Sequence, residues 1–218
     1  ILRTQFLSVE AVYLTDGHHR MAASARHAVS RSHSEKSSSG PWSYFLAALF
    51  PATQLRILPF NRCVRDLNGF SVEQLINQLS LNFTVDQFSD DNTTVLPSKP
   101  GEFTLLAENR VFRLQVRSAR IPNDPVGCLD VSLLQNLFLG IVLCIGDDLS
   151  GPRLKFVTGD SGLNGLRQRA EEGWRIGIAC YPTSMKDLMS IADRGLVMPP
   201  KSTCFDPKAR SGIFLRFS

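Results

Sequence analysis

Apolar residues recur along this chain at two spacings, and each spacing predicts its own kind of element. Val72, Leu75, Ile76 and Leu79 share one face at helical spacing, and Ser71 with Gln74 forms a capping box ahead of them. Phe112, Leu114 and Val116 alternate with Arg113, Gln115 and Arg117, the period-two pattern of a strand with one wet face. With Glu102 to Ala107 before a tight turn, this predicts a hairpin. Ala11 to Thr15 reads as a short buried strand. Asp16-Gly17 then turns the chain into a helix from His18 to about Val29, with Asp16 as cap and Ala22, Ala25 and Val29 as the apolar stripe. Ser30 to Gly40, with six serines, reads as a low-complexity loop, and Pro41 opens a second helix, Trp42 to Phe50, stopped by Pro51.

Further along, Leu55 to Phe60, Arg153 to Thr158 and Trp174 to Cys180 are predicted strands, and Asn68-Gly69 is a turn. Leu163 to Glu172 is a helix closed by Gly173. Asp130 caps a helix through Leu139, and Ser184 with Asp187 opens another that ends at Arg194-Gly195. Gly212 to Ser218 is a predicted closing strand. Val131 to Ile145 is the most apolar run, shorter than the ~20 residues of a membrane span, and reads as a buried helix passing into a strand. Helices and strands mix without strict alternation, so the fold class is α+β with a mixed α/β sheet. The organisation expected is an N-terminal subdomain to residue 60 and a C-terminal one over 61–218.

Composition narrows the functional classes. The chain has 218 residues, 43% hydrophobic and 20% charged, enough for a substantial core and too apolar for disorder. Twenty-four Lys and Arg against 20 Asp and Glu leave +4, too mild to imply nucleic-acid binding. Of that excess, +3 lies in residues 201–218, and all four histidines (His18, His19, His27, His33) lie near the start. Five dispersed cysteines, with no CxxC pair, fit reduced thiols in a cytoplasmic protein better than a disulfide framework or a zinc site. The chain opens on Ile1, almost directly in a motif, which reads as an N-terminally truncated protein.

The densest chemistry is Asp16-Gly17-His18-His19-Arg20 at a helix start. A helix N-terminus offers unpaired N–H groups and a positive dipole end, together a phosphate site. Gly17 permits close backbone approach, and His19 and Arg20 add donors to an oxyanion. Asp16 suits a metal ion or the orientation of an attacking hydroxyl. A second cationic string, Lys201-Ser202-Thr203 followed by Lys208 and Arg210, offers hydroxyls and charge to phosphate or carboxylate. It is not a P-loop, because the required glycines are missing. Asn61, Arg62 and Asp66 follow a predicted strand end, where ligand contacts collect. Arg113, Arg117 and Arg120 form a basic stripe of the kind that keeps a wet face soluble.

The first turn resembles the phosphate-binding turn of the ParB/sulfiredoxin superfamily. His18 stands where sulfiredoxins carry their reactive cysteine, so sulfinic-acid repair is not implied. Free-serine kinases of that group carry a similar Asp-Gly-His-x-Arg turn, matched by Asp16, Gly17, His18 and Arg20. The resemblance implies that this turn holds nucleotide phosphates and positions a substrate hydroxyl, with Asp16 and His18 catalytic. It also implies ATP or another nucleotide with Mg2+ as cofactor. Over nearly the whole chain the sequence resembles a domain-of-unknown-function family numbered ten-fifteen. The matching stretches are Asn61 to Gly69, Asp124-Pro125-Val126, Leu129-Asp130-Val131, Tyr181 to Ser184, Asp187-Leu188-Met189 and Met198 to Gly212.

Two functions follow. One is an ATP-dependent phosphotransferase acting on a small hydroxylated metabolite. The other is a ParB-like, nucleotide-gated partner of DNA or protein, without catalysis. No helix-turn-helix reader or strongly basic domain supports the nucleic-acid partner, and no membrane partner is expected.

Overall fold

Phe60–Val64 (β2) is a strand with little polar surface to give water, and it lies inside a sheet. A computed structural model describes residues 2–37, 39–89, 95–146, 148–210 and 212. In chain order its main elements are helices Leu2–Phe6 (α1) and His18–Glu35 (α2), strand Arg56–Leu58 (β1), β2, helix Val72–Leu79 (α3) and strands Phe83–Gln87 (β3), Glu102–Ala107 (β4) and Arg110–Val116 (β5). Helix Asp130–Leu134 (α4), strand Leu154–Thr158 (β6), helix Gly162–Glu171 (α5), strand Ile176–Cys180 (β7), helix Met185–Asp193 (α6) and strand Cys204–Asp206 (β8) complete it. The fold is α+β, and the recorded pairings of the large sheet are antiparallel.

The chain groups into two units, residues 1–56 with 205–218, and residues 57–204. The contacts divide the chain after Arg56 and again after Cys204, so the segment from Phe205 groups with the N-terminal residues.

The second unit is built on a six-stranded sheet in the order β3-β5-β4-β7-β2-β6. Period-two alternation puts neighbouring residues of β2 into different cores. Val64 packs in the larger one with Leu75 and Leu79 of α3, Leu133 and Leu134 of α4, and Phe103. Cys63 packs in the smaller one under Leu163 and Leu166 of α5. There α5 comes so near β7 that a Cβ on Gly177 would lie 3.1 Å from the Leu166 Cβ. The β4–β5 hairpin turns on Glu108 and Asn109, both at positive φ (48° and 67°), as a two-residue loop between twisted strands requires. The arginine stripe is engaged locally: Arg113 pairs with Glu102 at 3.2 Å, and Arg117 donates to the Ser80 carbonyl.

Several expected elements take a different form. The apolar run after α4 does not become a strand. Gly140 N–H donates to Gln135 O at 2.8 Å and Leu143 N–H to Phe138 O, i→i+5 bonds that wind Gln135–Leu139 into a π turn. Leu129, not Asp130, is the cap residue of α4, and Asp130 is its first helical residue.

In the first unit, Ala11 to Thr15 forms no strand, since no described strand pairs with it. Of the expected helix Trp42 to Phe50, only a 3-10 turn, Pro41–Ser43, forms. A helix of nine residues is marginal without packing, and here no described residue of the segment is buried. Conversely, α2 runs through much of the serine-rich segment to Glu35. The Ser34 hydroxyl donates back to Ser30 O, and Arg31 pairs with Glu35 one turn on. The strand expected over 212–218 lies outside the described residues except for Gly212, a turn.

Candidate functional site

In the first unit, Gly17 begins α2 at φ 85° and ψ 23°, a left-handed conformation that an L side chain rarely adopts. No side chain caps the helix, and its first turn has no acidic residue, so its positive end is open. The Asp16 carboxylate, expected to cap, instead meets Arg20 Nη2 at 3.3 Å. Arg20 folds back so far that a Cβ on Gly17 would lie 3.1 Å from Nη2 and 3.2 Å from Nε. Asp16, Gly17 and Arg20 therefore form one exposed constellation, with His18 and His19 as the first two helical residues, both exposed. Arg210 belongs to the same unit and is exposed.

In the second unit, β2 carries Asn61 and Arg62 into the interior. Asn61 Oδ1 accepts from the Cys180 N–H at 3.1 Å and ties β2 to the end of β7. Arg62 is 3% exposed, and the sheet register sets it between Phe156 of β6 and Ile178 of β7. Its Nη1 donates to Phe60 O and to Cys180 Sγ, and its Nη2 donates to Lys201 O at 3.3 Å. Its guanidinium lies 5.4 Å from the Phe156 ring centre. Lys201, at φ 56°, brings its Nζ to 5.2 Å from the Phe60 ring and 5.8 Å from Phe156. Two cations thus converge on one edge-to-face aromatic pair.

The other expected residues of this unit are held structurally. The Ser202 hydroxyl is buried and donates to Pro199 O at 2.6 Å, while Thr183 Oγ1 donates to Ser202 O. Thr203 is half-buried. Asp66 is gripped by Arg153 through Nε at 2.9 Å and Nη2 at 2.6 Å, and it also accepts the Asn68 N–H. These bonds hold its carboxyl below the usual range. Asp66 closes a turn and has little left to offer a ligand.

Beside Arg62 opens a cavity of about 230 Å³. Val131 of α4, Leu139 of the π turn, Leu149, and Leu154 and Phe156 of β6 give it an apolar wall. Arg62, Pro199 and Pro200 bound it as well, and Ser132, Gln135 and Asn136 add polar groups. Sequence reasoning singled out Arg62 but not the apolar wall, whose members are far apart in the chain.

Asp130, named only as a cap, is also out of the ordinary. It is 8% exposed, its Oδ1 accepts the Gly101 N–H at 2.8 Å, and its Oδ2 is buried without a partner. Burial pushes its carboxyl up to about 7, against the pull of the Gly101 bond and of Arg62. Burial likewise raises the Cys63 thiol to about 12 and the Cys180 thiol above its ordinary value, which removes both as nucleophiles. Among the described residues, no group of three or more His, Cys, Asp or Glu could hold a metal ion, and no helix is long and apolar enough to cross a membrane.

The profile of a family described as protein of unknown function, DUF1015, matches residues 2–132. No curated protein matches the sequence. Solved structures that resemble the fold include a free serine kinase variant in complex with ADP, at TM-score 0.45 and 15% identity, covering 88% of this chain and 66% of that one. A conserved hypothetical protein from Pyrococcus furiosus gives 0.44 and 13%, covering 88% and 68%. A free serine kinase variant in complex with AMP gives 0.40 and 13%, covering 69% of this chain. This chain spans 54% of the length of that last protein. Likeness at this level carries no functional argument.

Proposed function

This chain belongs to the DUF1015 family, and we propose that it binds a nucleotide by its phosphates at the Asp16–Arg20 turn and transfers a phosphoryl group to a small hydroxylated metabolite. One observation carries the reading. Gly17, in a left-handed conformation that L side chains rarely adopt, opens an uncapped helix end, and the Arg20 guanidinium folds back against it. Phosphoryl transfer asks mainly for such positioning and charge neutralisation.

In this reading the substrate hydroxyl oxygen bonds to the terminal phosphorus as the bond to the leaving nucleotide oxygen breaks. Asp16 orients the hydroxyl, and His18 takes its proton. His19 and Arg20 neutralise the charge that develops on the phosphoryl oxygens, and Arg210, exposed in the same unit, is a further phosphate donor. Magnesium needs one or two carboxylates plus phosphate oxygens, and Asp16 is the carboxylate of the turn; bound there, the ion would neutralise phosphate charge. The cytoplasm, where ATP and reduced thiols coexist, is the compartment this reading implies.

The test incubates the protein with γ-labelled ATP, Mg2+ and pooled amino acids, and follows label into a small molecule. Arg20→Ala is expected to weaken nucleotide binding at least tenfold. Unchanged affinity in that variant would remove the turn from the phosphate site. Nucleotide binding with no phosphorylated product would leave the ParB-like, non-catalytic switch in its place.

A further inference from the structure

We propose that the cavity beside Arg62 is a binding site for a compact monocarboxylic acid with an apolar body. The inference is independent of the nucleotide reading, because every residue it uses lies in the second unit.

Arg62 is a nearly fully buried cation, and no described residue forms an ion pair with it. Among the described residues its hydrogen bonds go to two carbonyls and a thiol, all neutral. Asp130 feels the Arg62 charge, but among the described residues the two form no ion pair. A buried charge without a counter-charge is costly, and truncating one partner of such a pair shows how costly. Among the described residues, Nη1 has two acceptors and Nη2 has one, and no hydrogen bond runs from the Nε–H beside Nη2. Those two nitrogens form the edge that grips a carboxylate side-on.

The rest of the cavity sets the body of the ligand. The Ser132 hydroxyl is already spent on Val126 O at 2.6 Å, and Gln135 Nε2 on Ile145 O at 2.9 Å. What remains is an apolar wall and the exposed amide of Asn136 on the rim. A dry cavity of about 150 Å³ holds a benzene ring, so about 230 Å³ admits one ring or a branched chain with a short acidic arm. It falls below the ~300 Å³ at which drug-sized ligands begin. The π turn that supplies Gln135, Asn136 and Leu139 is itself a distortion that recurs at functional sites.

The probes are 3-phenylpropanoate and 4-methylpentanoate, titrated calorimetrically into the nucleotide-free protein, with their neutral amides and phenyl phosphate as comparisons. At least one acid is expected to bind, at least tenfold more tightly than its amide. Arg62→Lys keeps the charge but loses the fork, and is expected to weaken the acid at least tenfold. Asn136→Trp blocks the rim from an exposed position and is expected to abolish binding with the melting temperature unchanged, which covers the case in which an Arg62 variant does not fold. No binding of either acid, equal binding of acid and amide, or full binding by Asn136→Trp would overturn the site. Phenyl phosphate binding tenfold more tightly than the acids would overturn the ligand class.

Discussion

The two units stabilise their elements by different means. In the N-terminal stretch, no described residue from Thr4 to Leu55 is buried, and α2, 18 residues long, buries none. What holds α2 is mainly local: the Arg31–Glu35 pair, the Ser34 back-bond and the left-handed ending at Lys36, with Arg31 also lying over the nearby Trp42 ring. Each is worth a few tenths of a kcal/mol. In the second unit the same kinds of local device are present, including the Ser71–Gln74 capping box, but they only trim helices that packing already fixes. Phe83, Phe103, Phe112 and Phe138 are all fully buried there. Local rules suffice to draw a helix, whereas burial makes it matter to the rest of the molecule.

The sharpest way to break this contrast is to delete comparable side chains in each unit. Phe103→Ala is expected to cost about 3–5 kcal/mol in urea unfolding, as core aromatic truncations do. Val29→Ala, on exposed α2, is expected to stay within about 0.5 kcal/mol. Equal losses would mean that α2 is packed in solution.

A second test uses charge inside the core. The Asp130 carboxyl titrates near 7 in the folded chain and near 3.8 unfolded, so the folded state holds the extra proton between those values. The Asp130 contribution to stability is therefore expected to be full below about pH 4 and to fall as pH rises toward 7, by up to roughly 4 kcal/mol. Asp130→Asn keeps an oxygen for the Gly101 N–H and is expected to flatten that slope. The smallest effect is expected at a cap. Ser71→Ala removes the acceptor for Gln74 N–H and should cost about 1 kcal/mol, measured in the same unfolding experiment.

How much of this was legible in the sequence follows from the same contrast. The capped helices and alternating strands of the second unit were readable because burial leaves a period in the sequence. Phe83–Gln87 was missed because an edge strand with Thr84, Asp86 and Gln87 turned outward or half-outward carries little apolar signal. The serine-rich segment reads as a loop because composition does not reveal back-bonding within a helix. The Gly17 turn was legible as a local motif. The setting of Arg62 was not, since it depends on strands paired with β2 from about 90 residues further along. Only the finished sheet makes that arginine a core residue.

The order of that sheet also bears on how the chain is made. β2 lies between β6 and β7, so its hydrogen-bonding edges have no partner until most of the polypeptide has left the ribosome. The β4–β5 hairpin, by contrast, can close as soon as it emerges. Synthesis at some 5–20 residues per second leaves β2 waiting on the order of 5–20 s, an interval in which its bare edges can pair with the wrong strand. Long-range pairing of this kind also slows refolding of the whole chain. The strand that carries the buried arginine is thus among the last to find its neighbours.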